Sequence, residues 1–173
     1  TARATPASLV WCALCWAAEL GLFVSVATSS NGTTQLVMTS PDGITWTLRS
    51  SPADKSWRSI CWAAELGLLV AVGESGSGNR VMTSPDGTNW TLRNTPADLE
   101  WRSICWAPEL RLLIGLAGTG TAQQVMTSAD GSSWTLRNTA AERLWSGICW
   151  VPELGRLVAV AQNGSGSRVM TSS

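Results

Sequence analysis

Apolar residues fall along this chain in short runs separated by Gly, Ser, Pro, Asp and Asn clusters. The stretch from Trp57 to Asn94 shows the pattern once through. "WRSICWA" is rich in aromatic and β-branched residues, "AELG" reads as a tight turn, and "LLVAV" is a continuous apolar run suited to a strand covered on both faces. "GESGSGN" is a polar loop, "RVMTS" a second short strand segment, "PDG" a turn signal and "NWTLRN" a last strand. Helix is not expected, because apolar runs of about five residues interrupted by Gly, Pro and Asp leave no room for one.

The pattern recurs. Trp57, Trp101 and Trp145 are 44 residues apart, as are Trp62, Trp106 and Trp150, and Trp46, Trp90 and Trp134. The first unit is two residues longer, its surplus lying in the polar "ATSSNGTTQ", where a surface loop tolerates insertion. Four short antiparallel strands in ~44 residues match one blade of a propeller, a twisted sheet whose two faces pack on neighbours around a common axis. That accounts for apolar side chains of both parities in "WRSICW", and the many Trp suit the wedge-shaped gaps between twisted sheets. A β-solenoid ranks below, since its coils are shorter and need no Asp-Gly hairpin. The expected fold is all-β: one domain over 1–173, a β-propeller of four-stranded antiparallel blades, four per chain. The units run approximately 5–50, 51–94, 95–138, and 139–173 completed by 1–4.

At "SPDGITW", "SPDGTNW" and "SADGSSW" the sequence resembles the Asp-box repeats of sialidase-like β-propellers. The family pattern is Ser/Thr-x-Asp-x-Gly-x-Thr-Trp; here Asp and Gly stand one residue closer. The resemblance implies a turn between the third and fourth strands, capped by Asp42, Asp86 and Asp130 and anchored by Trp46, Trp90 and Trp134. These roles are structural.

The two ends of the sequence are complementary. Thr1 to Trp11 aligns without gaps to Thr91 to Trp101, and "VMTSS" at Val169 repeats the opening of "VMTSPDG". The N-terminal segment is therefore expected to supply the outer strand of the last blade, leaving no unpaired edge. Three arrangements satisfy this: a closed four-bladed ring, an eight-bladed ring shared with a second copy, or a window on a longer array. Four blades alone force near right-angle packing, which favours the two-chain ring. The chain starts with Thr1, not Met, so trimming, engineering and a longer parent all stay open.

Composition narrows the chemistry. Twelve basic and twelve acidic residues leave no net charge and no basic patch, so neither nucleic acid nor an acidic membrane surface is an expected partner. No apolar run approaches the ~20 residues a membrane helix needs. Cys15, Cys61, Cys105 and Cys149 share one repeat position, too far apart for disulfides, and Cys12 with Cys15 makes a lone C-x-x-C without His, a weak metal signal. Unpaired thiols favour a cytoplasmic setting slightly. No cofactor is implied. Without His there is no His-based acid–base or triad chemistry, and without Tyr the sialidase nucleophile is missing. The Arg at 3, 49, 93 and 137 and the Glu at 19, 65, 109 and 153 recur in every unit and read as blade-maintaining residues.

The expectation is a non-enzymatic scaffold or binding platform, a recently amplified or engineered blade, with a glycan or protein ligand. A multivalent lectin is the alternative, and a glycosidase the least favoured. Units differ most in the loops joining second and third strands, which nominates Asn31, Gln35, Asn79, Arg80, Gln123, Gln124, Asn163 and Arg168 as ligand contacts.

Overall fold

A computed structural model describes residues 1–28, 32–120 and 122–172. The first blade comprises β1 (Trp11–Ala17), β2 (Leu22–Ala27), β3 (Val37–Ser40) and β4 (Thr47–Arg49). The second comprises β5 (Trp57–Ala63), β6 (Leu68–Gly73), β7 (Val81–Ser84) and β8 (Thr91–Arg93), and the third β9 (Trp101–Ala107), β10 (Leu112–Ala117), β11 (Val125–Ser128) and β12 (Thr135–Arg137). The fourth comprises β13 (Trp145–Val151), β14 (Arg156–Ala161) and β15 (Val169–Ser172). Within each sheet the strands follow sequence order and pair antiparallel, so each blade is a simple meander.

Local chemistry sets the turns. In "AELG" a single 3-10 turn, Ala64–Leu66, ends at Gly67 with φ 58°, the left-handed region that glycine enters without a Cβ penalty. The third blade has Arg111 at this position with φ 52°, a backbone choice that costs roughly 1–2 kcal/mol for a residue with a Cβ.

The core lies between blades. Trp57, Trp101 and Trp145, which open the inner strands, are fully buried. Val24, Val26 and Val37 of the first blade pack with Ile60, Leu69 and Met82 of the second, and Trp90 and Leu92 close this cluster from the outer strand. Val70, Val72 and Val81 of the second blade meet Ile104, Leu113 and Met126 of the third, closed by Trp134 and Leu136. One face of each of the first three blades is thus sheathed by the opposite face of the next, with the inner strands β1, β5, β9 and β13 adjacent in that order. This is a four-blade β-propeller arrangement.

One expectation fails in detail. The fourth sheet holds three strands among the described residues, and Thr1–Ala4 are exposed and in no strand. Within the chain the N-terminal segment does not supply the outer strand of the last blade. The physical reason is that the extensive contacts run only between consecutive blades, so the first and fourth blades stand at opposite ends of an open arc.

Candidate functional site

The four inner strands share an irregularity at their start. Between Trp57 and Ser59, and at the equivalent places in the other blades, the pairing register slips by one residue. The extra residue of this β-bulge is Cys12, Arg58, Arg102 or Ser146. A bulge leaves its extra residue outside the ladder and redirects the side chain, and bulges concentrate beside binding and active sites. The Trp before the bulge residue is invariant among the blades, while the bulge residue changes.

The residue after the second strand also varies: Thr28, Glu74, Gly118 and Gln162. Arg58, Glu74, Arg102, Ser146 and Gln162 together line a depression of about 320 Å³ contributed by the second, third and fourth blades. The Arg58 guanidinium is ion-paired to Glu74 through Nη2, and this hydrogen bond raises its already high pKa. Its Nη1 lies 3.9 Å from Cys12 Sγ. Arg102 Nη2 donates to Glu100 Oε2 at 2.7 Å. The Nε–H groups of Arg58 and Arg102 are both buried and have no partner. A Cβ at Gly118 would stand 2.3 Å from Arg102 Nε, so only glycine lets Arg102 lie across this position. The site holds two fixed cations, each with an unused donor, beside a hydroxyl and an amide. Such a group recognises acceptor-rich or anionic ligands.

Several of the loop residues nominated from sequence fasten the second-to-third-strand loops of the second, third and fourth blades to a linker that enters an inner strand. Lys55 Nζ donates to Asn79 Oδ1 at 2.6 Å. Arg80 donates to the carbonyls of Gly76 at 2.7 Å, Glu74 at 3.0 Å and Leu99 at 2.8 Å. Gln124 is buried, donates to the Arg143 carbonyl at 2.7 Å and accepts from the Arg143 N–H at 3.1 Å. Asn163 Oδ1 accepts from the Leu144 N–H at 2.7 Å, and Arg168 Nε donates to the Gly164 carbonyl at 2.7 Å. Gln35 and Gln123 are exposed. Asn31 lies outside the described residues. None of the described ones lines the depression.

The Ser-x-Asp-Gly turns are closed by their own side chains. Ser84 Oγ donates to Asp86 Oδ1 at 3.0 Å and accepts from the Gly87 N–H at 2.9 Å. Asp86 Oδ1 also accepts from the N–H groups of Thr88 at 2.8 Å and Asn89 at 2.7 Å. The bonds recur around Asp42 and Asp130. They hold all three carboxyls below the usual carboxylate range, Asp86 at about 2. Trp90 and Trp134 donate through Nε1 to the glycine carbonyls of their turns, and Trp46 stands near Phe23, ring centroids 6.4 Å apart.

All five cysteines are free thiols. Burial pushes Cys15 and Cys105 up to about 12 and Cys61 well above its ordinary value, so these stay protonated and act as small apolar side chains. Among the described residues no group of three or more His, Cys, Asp or Glu could hold a metal ion, and no helix is long and apolar enough to cross a membrane.

No family model matches the sequence, and no curated protein matches it as a relative. Solved propeller structures do match its fold. A chain of the nidogen/laminin complex aligns over 88% of this chain at 15% identity with TM-score 0.65. An auxiliary nutrient binding protein from Bacteroides thetaiotaomicron aligns over 93% at 11% identity with TM-score 0.60. Chaetomium thermophilum Raptor aligns over 92% at 11% identity with TM-score 0.66. The chain spans 57%, 46% and 16% of the lengths of these proteins, respectively.

Proposed function

We propose that this propeller is a non-catalytic binding platform whose ligand, an acidic glycan, sits in the depression formed by the bulge residues. One observation carries the reading: Arg58 and Arg102, from neighbouring blades, line the same hollow, and each keeps a buried Nε–H without a partner. Leaving a buried donor unpaired costs about 1–3 kcal/mol, more for a charged group. A ligand carboxylate would meet two guanidinium groups in this hollow, and Ser146 and Gln162 add the neutral hydrogen bonds a sugar ring requires. The placement suits a platform, since the site is set on a rigid repeat rather than on a loop. One of the similar folds is described as a nutrient binding protein, which agrees with a binding role.

The non-catalytic part rests on the two carboxylates nearest the arginines. Glu74 and Glu100 are ion-paired to Arg58 and Arg102, so the carboxylate oxygens in these contacts are already engaged. The chain has no His and no Tyr, which leaves out His-based acid–base chemistry and a Tyr nucleophile beside the depression. We read the Ser-x-Asp-Gly-x-x-Trp turns as a shortened Asp box in role, stabilising each blade and taking no part in binding.

A glycan array followed by calorimetry tests the proposal. Binding to a carboxylate-bearing glycan is expected, and Arg102→Ala should weaken it by about tenfold or more, the equivalent of one charged hydrogen bond. Binding that is confined to neutral sugars, or unchanged in Arg102→Ala, would refute the site. Release of fluorophore from an acidic fluorogenic glycoside, abolished in Glu74→Gln, would refute the non-catalytic reading.

A further inference from the structure

The faces that pack at the three blade junctions have unpacked counterparts at the two ends of the arc. At the position of Ile60 and Ile104, which are 6% and 5% exposed, the first blade carries Leu14, 56% exposed. At the positions of the fully buried Val72 and Val81, the fourth blade carries Val160 and Val169, 47% and 59% exposed. The first blade's bare face also forms a hollow of about 310 Å³ lined by Leu14, Met38 and Trp46.

The polar pairing of the junctions is unfinished in the same way. Trp62 Nε1 donates to Glu19 Oε2, Trp106 to Glu65 and Trp150 to Glu109, each at 2.5 Å and each reaching back to the preceding blade. The series leaves Trp16 as a donor at one end and Glu153 as an acceptor at the other. Both are exposed, and neither has such a partner among the described residues.

The outer edge of the fourth blade is incomplete too. Between the third and fourth blades a cavity of about 400 Å³ is lined by Ile114, Val125, Leu157 and Met170. At the earlier junctions Trp90 and Leu92, or Trp134 and Leu136, of the outer strand close this place.

We infer that two copies of this chain join head to tail into one eight-bladed ring, the bare face of each first blade seated on the bare face of the other copy's fourth blade. Continuity with the existing junctions identifies the occupant. The two faces are the two halves of an interface the chain already makes three times, so a second copy fits without new chemistry. Trp16 then donates to Glu153 of the second copy. Thr1–Arg3 of each copy lie beside β15 of the other in the register that pairs Thr91 with Thr83, Leu92 with Met82 and Arg93 with Val81. Arg3 thereby gains the hydrogen bond to Thr171 that Arg93 makes to Thr83 at 2.9 Å. The number of copies follows from blade count. Four blades leave the end faces apart, propellers typically run from about four to eight blades, and two copies reach eight while three would exceed it. The inference is independent of what the depression binds.

Light scattering on the 173-residue chain decides it. The expected mass is twice 18.3 kDa. Leu14→Glu and Val160→Glu place a charge on opposite faces, and each should halve the mass while the far-ultraviolet circular dichroism stays that of the parent. Should one of them fail to fold, the other carries the test. A parent mass of 18.3 kDa, a mass above twofold, or a folded variant that remains twofold would overturn the inference. Sensitivity at only one of the two faces would also overturn it, because like-to-like pairing uses one face and head-to-tail pairing uses both.

Discussion

Replacing Ile104 by alanine should be among the more damaging single substitutions in this chain. The side chain is 5% exposed and stands in the cluster with Ala63, Val70 and Val72 of the preceding blade. Three carbons are lost, worth ~0.8 kcal/mol each or about 2.4 kcal/mol in transfer free energy. A cavity contribution adds to this. Both walls are hydrogen-bonded sheets, and the Ile104 N–H is tied to Ser59 Oγ at 3.2 Å, so the gap cannot close by backbone movement. The expected cost is roughly 3–4 kcal/mol, a large share of the ~5–15 kcal/mol that holds a typical domain together. Leu14 provides the control. It occupies the same repeat position on a bare face, where more than half of it is already in contact with solvent, and its truncation should cost only ~1 kcal/mol. Urea unfolding followed by tryptophan fluorescence measures both, in a Val160→Glu background that keeps the second copy away. If Leu14→Ala proves as costly as Ile104→Ala there, the junctions are not the seat of stability and the reasoning fails.

Ser84→Ala removes the hydroxyl that accepts the buried Gly87 N–H, and should destabilise the second blade by about 1–3 kcal/mol in the same urea assay, whereas an exposed Ser elsewhere should cost almost nothing. Acid should loosen the turns. Asp42, Asp86 and Asp130 have folded pKa values below their unfolded ones, so their stabilising contribution is complete above about pH 4 and disappears as pH falls through the folded values, towards about 2 for Asp86. The thermal midpoint should therefore drop steeply over that range, and a triple Asp→Asn variant should show a flatter profile; parallel profiles would contradict the assignment.

Each blade was legible in the sequence because its determinants are local. Strand parity, the left-handed glycine of "AELG" and the Ser-x-Asp-Gly turn act over fewer than ten residues, and the Trp spacing of 44 counts the copies. The candidate site was less legible. The second-to-third-strand loops vary most, and variation there reads as ligand contact. In the fold, Asn79, Gln124 and Asn163 make fastening bonds instead. The variable residue directly after an invariant Trp, Arg58 or Arg102 in "WRSICW", was the available signal. Its meaning depends on a register slip against the neighbouring strand, which no single-strand pattern reveals.

The amino-acid order alone thus determined what a blade is and that four of them follow one another, since hairpins form between neighbours in sequence and their chemistry is written where it acts. Tertiary structure alone decided that the first and last blades stand apart, that Leu14 and Val160 are bare while Ile104 is covered, and that arginines from two blades share one hollow. These depend on the rotation from each twisted sheet to the next, an angle set by interdigitating side chains and accumulated along the arc. A sum of such angles has no local signature.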